Sequence, residues 1–210
     1  MSVPFTDAAA RLIRIGQRLD GRGWVLGTSG NFSMVMDEAP LRLAITRSGT
    51  QKGDLSVNDI LEVGSEGNSI GTTAGLPSAE TRLHLEIVAA RPAAAVLHTH
   101  SIWSTLLSDR YATRGGIAIQ GYEMLKGLAG VSTHEHREWI PVLENDQDMA
   151  RLATRVAATL REHPDCHAFL LRRHGLYTWG ATVPEAVRHV EIVEFLLESV
   201  GRKEAASWHS

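Results

Sequence analysis

Apolar and polar positions follow two rhythms along this chain, one recurring every three to four residues and one of short apolar runs closed by turns. From Thr6 or Asp7 as N-cap, Ala8, Leu12, Ile15 and Leu19 fall on one helical face, and Gly21 and Gly23 stop the pattern. Met149, Leu152, Val156 and Leu160 predict a second amphipathic helix over 146–161, and Ala186, Val190, Val193 and Leu197 a last one over 183–200. A shorter helix opens at Pro77, Ser78, Ala79 and Glu80 with Ser78 as N-cap, turns Leu83, Ile87 and Ala90 to one side, and ends at Arg91 and Pro92. Residues 102–107 read as helical and 121–127 as a short helix or turn. Strands are predicted out of the turn in 24–34, over 41–46, within 55–63, along the apolar run that begins at Ala93, and over 117–119, 139–143, 168–171 and 176–179. Residues 64–75, rich in Gly, Ser and Thr, form a loop, and 202–210 a loose tail.

The run from Ala93 ends in His98-Thr99-His100-Ser101. Strand positions i and i+2 share a face, so His98 and His100 would present both imidazoles to one point. That is a metal-ligand geometry, and catalytic zinc sites typically take three protein ligands and keep a position open. His174 is the best third ligand, because it ends another apolar strand beside a glycine, the kind of position His100 holds. A second His-x-His, His134 and His136, sits among Thr133, Glu135, Arg137 and Glu138 and reads as a solvated loop. His84, His163, His167, His189 and His209 fall on helix surfaces or in loops and read as structural or solvated.

Composition narrows the class. With 210 residues, 43% apolar and 21% charged, the chain is long enough for one large core and reads as a single domain, 1–210. A net charge of -3, from 21 basic and 24 acidic side chains, suggests neither a nucleic-acid nor a membrane surface. No signal-length or spanning apolar segment is expected, which predicts a cytoplasmic protein. The single cysteine, Cys166, excludes an internal disulfide and leaves a metal to nitrogen and oxygen ligands. Gly21, Gly23 and Gly27 complete no dinucleotide fingerprint, and they follow a helix where that motif follows a strand.

Two turns suit an anion. Thr28, Ser29, Gly30 and Asn31 offer backbone N–H groups beside small polar side chains, and Arg47, Ser48, Gly49, Thr50, Gln51 and Lys52 form a second turn that carries a lysine. Glu80, in the first helical turn, has a plain alternative reading as a partner of the helix dipole.

His98-Thr99-His100-Ser101, Gly27 to Asn31, Pro77 to Glu80 and Arg173-His174-Gly175, in this order and at these separations, resemble the class II aldolase/adducin-like family of zinc-dependent sugar-phosphate enzymes. The resemblance covers nearly the whole chain. It implies an α/β fold of three α/β/α layers with a central, mostly antiparallel sheet, in a homotetramer with active sites at subunit interfaces. His98, His100 and His174 would then hold one Zn²⁺ per subunit. Thr28, Ser29, Gly30, Asn31, Ser48, Gly49, Lys52 and Ser78 would bind the phosphate of a small sugar phosphate, and Ala79 removes one hydroxyl that family members carry. Further blocks, 48–52, 122–127, 141–145 and 172–180, are similar to dehydratases of the family. Its aldolases do not share Glu123-Met124-Leu125-Lys126-Gly127. A hydro-lyase is therefore expected, with Glu123 matching the dehydratase acid/base and Glu80 the aldolase one. The alternatives are a sugar-phosphate aldolase of the same family and a non-catalytic adducin-like scaffold.

Overall fold

The computed structural model describes residues 2–206. Eight strands form one sheet: β1 (Asn31–Glu38), β2 (Leu41–Thr46), β3 (Ile60–Gly64), β4 (Ala95–Thr99), β5 (Gly116–Gln120), β6 (Arg137–Leu143), β7 (Ala168–Leu171) and β8 (Gly175–Gly180). Their spatial order is β3-β2-β1-β4-β8-β7-β6-β5, and every neighbouring pair is antiparallel except β6 with β7. The five helices are α1 (Phe5–Asp20), α2 (Thr81–Ala90), α3 (Ile102–Tyr111), α4 (Met149–Glu162) and α5 (Val183–Ala206).

Strand parity sorts side chains into two cores. Ala95 and Leu97 of β4 face one layer with Leu12 of α1, Leu107 of α3 and Val193 of α5. Val96 faces the other, with Leu83 and Ile87 of α2, Leu152, Val156 and Leu160 of α4, and Phe169 and Tyr177 of the sheet. The result is the expected three-layer α/β/α arrangement. Each fully buried Leu or Val side chain contributes roughly 1.5–3 kcal/mol relative to exposure, so the two apolar helix stripes that flank β4 hold it from both sides. His98 shares parity with Val96 and so points into the α2/α4 layer.

Some boundaries moved. Pro4 takes the N-cap position of α1, which places Thr6 and Asp7 inside the first turn, where Asp7 faces the positive end of the helix. Ser78 is not the cap of α2: Glu80 occupies that position, while Ser78 Oγ accepts from the Glu80 backbone N–H at 3.3 Å one turn earlier. α5 continues to Ala206, through the first five residues of the segment expected to be loose, and residues 207–210, with His209, lie outside the described residues. Arg202 within it pairs with Glu198 one turn back. The solvated-loop reading holds for His134, which is exposed, but not for His136, whose Nε2 lies 2.9 Å from the buried Glu138 carboxylate.

Candidate active site

The site is built on one cross-strand row. Asn31 of β1 is paired with His98 of β4, and His98 with Tyr177 of β8, so the three side chains lie abreast on one face. Tyr177 stacks on His98, with ring centroids 3.9 Å apart and planes 11° from parallel. His100 follows just past the end of β4, its backbone N–H bonded to Trp24 O at 2.7 Å. His174 comes from the turn between β7 and β8, where Arg173 adopts a left-handed φ of 55°. Two glycines let these elements approach. A Cβ on Gly175 would lie 2.1 Å from Thr99 O, and one on Gly30, which has φ +71°, 2.6 Å from His98 O.

The three imidazoles converge as expected. His98 Nε2 lies 2.8 Å from His100 Nε2 and 3.3 Å from His174 Nε2, and one nitrogen from each ring falls within 4.8 Å of the others. His98 Nδ1 lies 2.9 Å from Leu176 O, an acceptor, so that nitrogen carries the proton and the Nε2 lone pair points inward. All three rings are biased toward the neutral form. Burial, then the neighbouring His100 and His174, hold His98 well below the usual imidazole range; burial, His174 and Lys52 push His100 down to about 4; burial lowers His174 against the opposing pull of Glu80. Three neutral imidazole nitrogens within 4.8 Å of one another, with the His98 Nε2 lone pair turned inward, are a donor set that fits a metal ion.

Glu80 completes the cluster from the start of α2. Its Oε1 lies 3.2 Å from His174 Nε2 and 3.6 Å from His98 Nε2, while Oε2 accepts from Asn31 Nδ2 at 2.6 Å. Glu80 stands at the N-terminus of α2, but its carboxylate makes no cap hydrogen bond there and turns to Asn31 and the histidines.

Both anion turns meet at Lys52. Its Nζ donates to Thr50 O at 2.6 Å and Thr28 O at 3.2 Å, which ties the turn at 28–31 to the turn at 47–52. Lys52 is fully buried, and that burial pushes its ammonium down to about 8 against the opposing carboxylates of Glu80 and Asp59. Ser29 Oγ is buried with no hydrogen-bond partner among the described residues, and Ser78 Oγ lies 3.4 Å from Asn31 Nδ2. Thr28, Ser48 and Gly49 are exposed beside them, with Gly49 at φ +73°.

Glu123 is not brought to this cluster within the chain. It is 71% exposed in a short 3₁₀ turn, Glu123–Gly127, and pairs with Lys126 and, at 3.9 Å, with His134. Its carboxyl is held below the usual range chiefly by Lys126.

Sequence reasoning missed several buried polar side chains. His84 is buried against Asn31 and Ser33, although it was placed with the surface histidines. It stands four residues after Glu80, one helical turn on the same face, and that spacing was the available signal. Glu194 of α5 is buried behind β4, where it accepts from Thr99 Oγ1 at 2.6 Å and is pushed up to about 7 by burial. His189 is also buried, with Nδ1 2.7 Å from Trp179 O.

The profile of the Class II Aldolase and Adducin N-terminal domain matches residues 10–200. The chain belongs to the class II aldolase and adducin family. Among members of this family it is 48% identical, over 189 residues and 90% of each chain, to a methylthioribulose-1-phosphate dehydratase of Pseudomonas paraeruginosa. It is 47% identical over 195 residues, 92% of this chain and 93% of the other, to the protein of the same name in Methylococcus capsulatus. The L-fuculose-1-phosphate aldolase of Thermus thermophilus superposes with a TM-score of 0.75 at 25% identity, covering 97% of this chain and 98% of that one. No helix among the described residues is long and apolar enough to cross a membrane.

Proposed function

We propose that the chain is a methylthioribulose-1-phosphate dehydratase, which removes water from 5-methylthioribulose 1-phosphate to give 2,3-diketo-5-methylthiopentyl 1-phosphate in methionine salvage. The observation that carries this reading is the match to dehydratases of that name over nine-tenths of both chains. The resemblance of the Glu123–Gly127 block to dehydratases of the family supports it. This reading puts the enzyme in the cytoplasm.

A zinc ion held by His98, His100 and His174 would serve as a Lewis acid toward the C2 ketone, where negative charge develops. Lys52, Ser29, Ser78 and the amides of both turns grip the phosphate, so orientation comes from a part of the substrate that does not react. Glu123 takes the C3 proton and returns a proton to the C4 hydroxyl, which leaves as water. The remaining enol tautomerises to the diketone. Glu80 accepts a hydrogen bond from a substrate hydroxyl and keeps the C3–H bond aimed at the base. Because Glu123 is exposed and pairs within its own chain with Lys126 and His134 and not with His98, His100 or His174, it acts on a neighbouring subunit's substrate, in a homotetramer whose sites lie at subunit boundaries.

The test is ultraviolet detection of the diketone from the methylthio sugar phosphate. Activity is expected with bound metal and is lost on chelation. The second reading, an aldolase, is favoured by the Glu80 carboxylate beside the histidines; an aldehyde product in place of a diketone would decide for it.

A further inference from the structure

Four side chains behind the metal-binding cluster form a hydrogen-bond chain whose direction can be worked out end to end. Asn31 Nδ2 lies 2.6 Å from Glu80 Oε2. Reversing that amide would set a carbonyl oxygen against a carboxylate oxygen at the same distance, two acceptors with no proton between them, so the NH₂ group must face Glu80. Asn31 Oδ1 then faces His84 Nε2, which it contacts closely, and Nε2 must donate. The other ring nitrogen, Nδ1, lies 2.7 Å from Ser33 Oγ. His84 is fully buried, and that burial pushes it down to about 3, so the ring is neutral; with Nε2 protonated, Nδ1 accepts from the Ser33 hydroxyl. The order is Ser33 to His84 to Asn31 to Glu80, every bond pointing the same way.

The geometry points to His84 as a positioning residue: by donating to Asn31 it fixes which end of that amide meets Glu80, and so holds one carboxylate oxygen there and turns the other toward the histidines. This rests on the reading in which Glu80 works on the substrate. The ring has a second contact with the site, edge-on to Tyr177 at 5.9 Å, and Tyr177 stacks on His98. A side chain that only filled space in this layer would need neither nitrogen. An apolar residue would serve α2 better, since an imidazole costs more to bury than a leucine of similar size.

The spectroscopic test uses the intact, metal-loaded protein labelled with ¹⁵N histidine. His84 is expected as the Nε2–H tautomer throughout pH 5–8, and the Glu80→Ala chain, which takes the final acceptor away from Asn31 Nδ2, is expected to shift that signal. A Nδ1–H tautomer, a protonated ring, or a signal indifferent to Glu80→Ala overturns the proposal. The kinetic test compares His84→Leu with His84→Gln, which keeps a donor. His84→Leu is expected to lower kcat about tenfold or more, the usual scale for partners that orient site groups, with bound metal unchanged. His84→Gln recovers most of the loss. Equal losses in both variants, or a His84→Leu loss confined to KM or to bound metal, refute it. Should His84→Leu not fold, the tautomer and the Gln variant still decide. Glu80→Gln separates the two layers: full activity there removes the role given to Glu80, whereas the His84 tautomer reports the hydrogen-bond chain regardless of turnover.

Discussion

If Glu123 serves a neighbouring subunit's site, two dead variants should repair each other. Glu123→Gln keeps the histidines and lacks the acid/base; His100→Ala keeps Glu123 and lacks a ligand, while its backbone bond to Trp24 O is retained. Each alone should fall to about 1% of wild type or less, since a positioned proton-transfer group supplies about 10²–10⁴-fold. In tetramers assembled at random from equal amounts, a working site needs its histidines from a Glu123→Gln chain and its carboxylate from a His100→Ala chain. Each condition is met half the time, so about a quarter of the sites should be whole in a ring of like subunits. The exposed position of Glu123 is what permits this sharing. The assay is diketone formation by the mixed, reassembled tetramer, with mixing verified through two affinity tags. Mixed tetramers no more active than the sum of their parents would refute the cross-subunit role, and a fully active Glu123→Gln chain would transfer the acid/base task to Glu80.

Gly175→Ala should reduce metal affinity by at least tenfold with all three histidines in place, because the added methyl would drive β8 away from Thr99 O; chelator competition checks it, and wild-type affinity would show that the strands separate without disturbing the rings. Lys52 is held at about 8, so kcat/KM should fall as pH rises through that value while the Lys52→Met chain shows a raised KM and no such limb. Away from the site, Glu138 is buried between His136 and His167, which makes a pH-dependent brace. Glu138 is held below its ordinary 4.5 despite burial, by its bonds to His167 and His136; burial alone would lower His167, but Glu138 raises it above 6.5. A raised histidine stabilises fully below its unfolded value and loses that stabilisation as pH climbs through the folded one; a lowered carboxyl does so above its unfolded value and loses it as pH drops. The brace is therefore complete between 4.5 and 6.5. Glu138→Gln should cost about 3 kcal/mol there, read as a fall in Tm against pH, and a loss independent of pH would argue against the ion pair.

What could be read along the chain was whatever a single element carries by itself. His98 in β4 and His100 just past its end were legible because strand parity is local, and β2 was legible at its observed ends because a six-residue run between turns has few alternatives. His174 was reachable by analogy with His100. The failures share a cause: each belongs to a side chain whose meaning lies in a distant partner. Lys52 was legible as the lysine of an anion turn, but not its burial, which depends on the carbonyl of Thr28, 24 residues earlier. His84 looked like a helix-surface histidine because Asn31, its acceptor, is 53 positions away on another strand. Ser78 was a plausible N-cap by residue type and still lost the position to Glu80, whose carboxylate is held by Asn31. Local capping preferences are worth about 1 kcal/mol; a carboxylate accepting a charge-assisted hydrogen bond in a half-buried site outweighs that. The same inequality separates the two acids. Glu80 is fixed by Asn31 and the histidines of its own chain, whereas Glu123 meets Lys126 and His134 among the described residues, so on the proposed reading its task depends on a second copy.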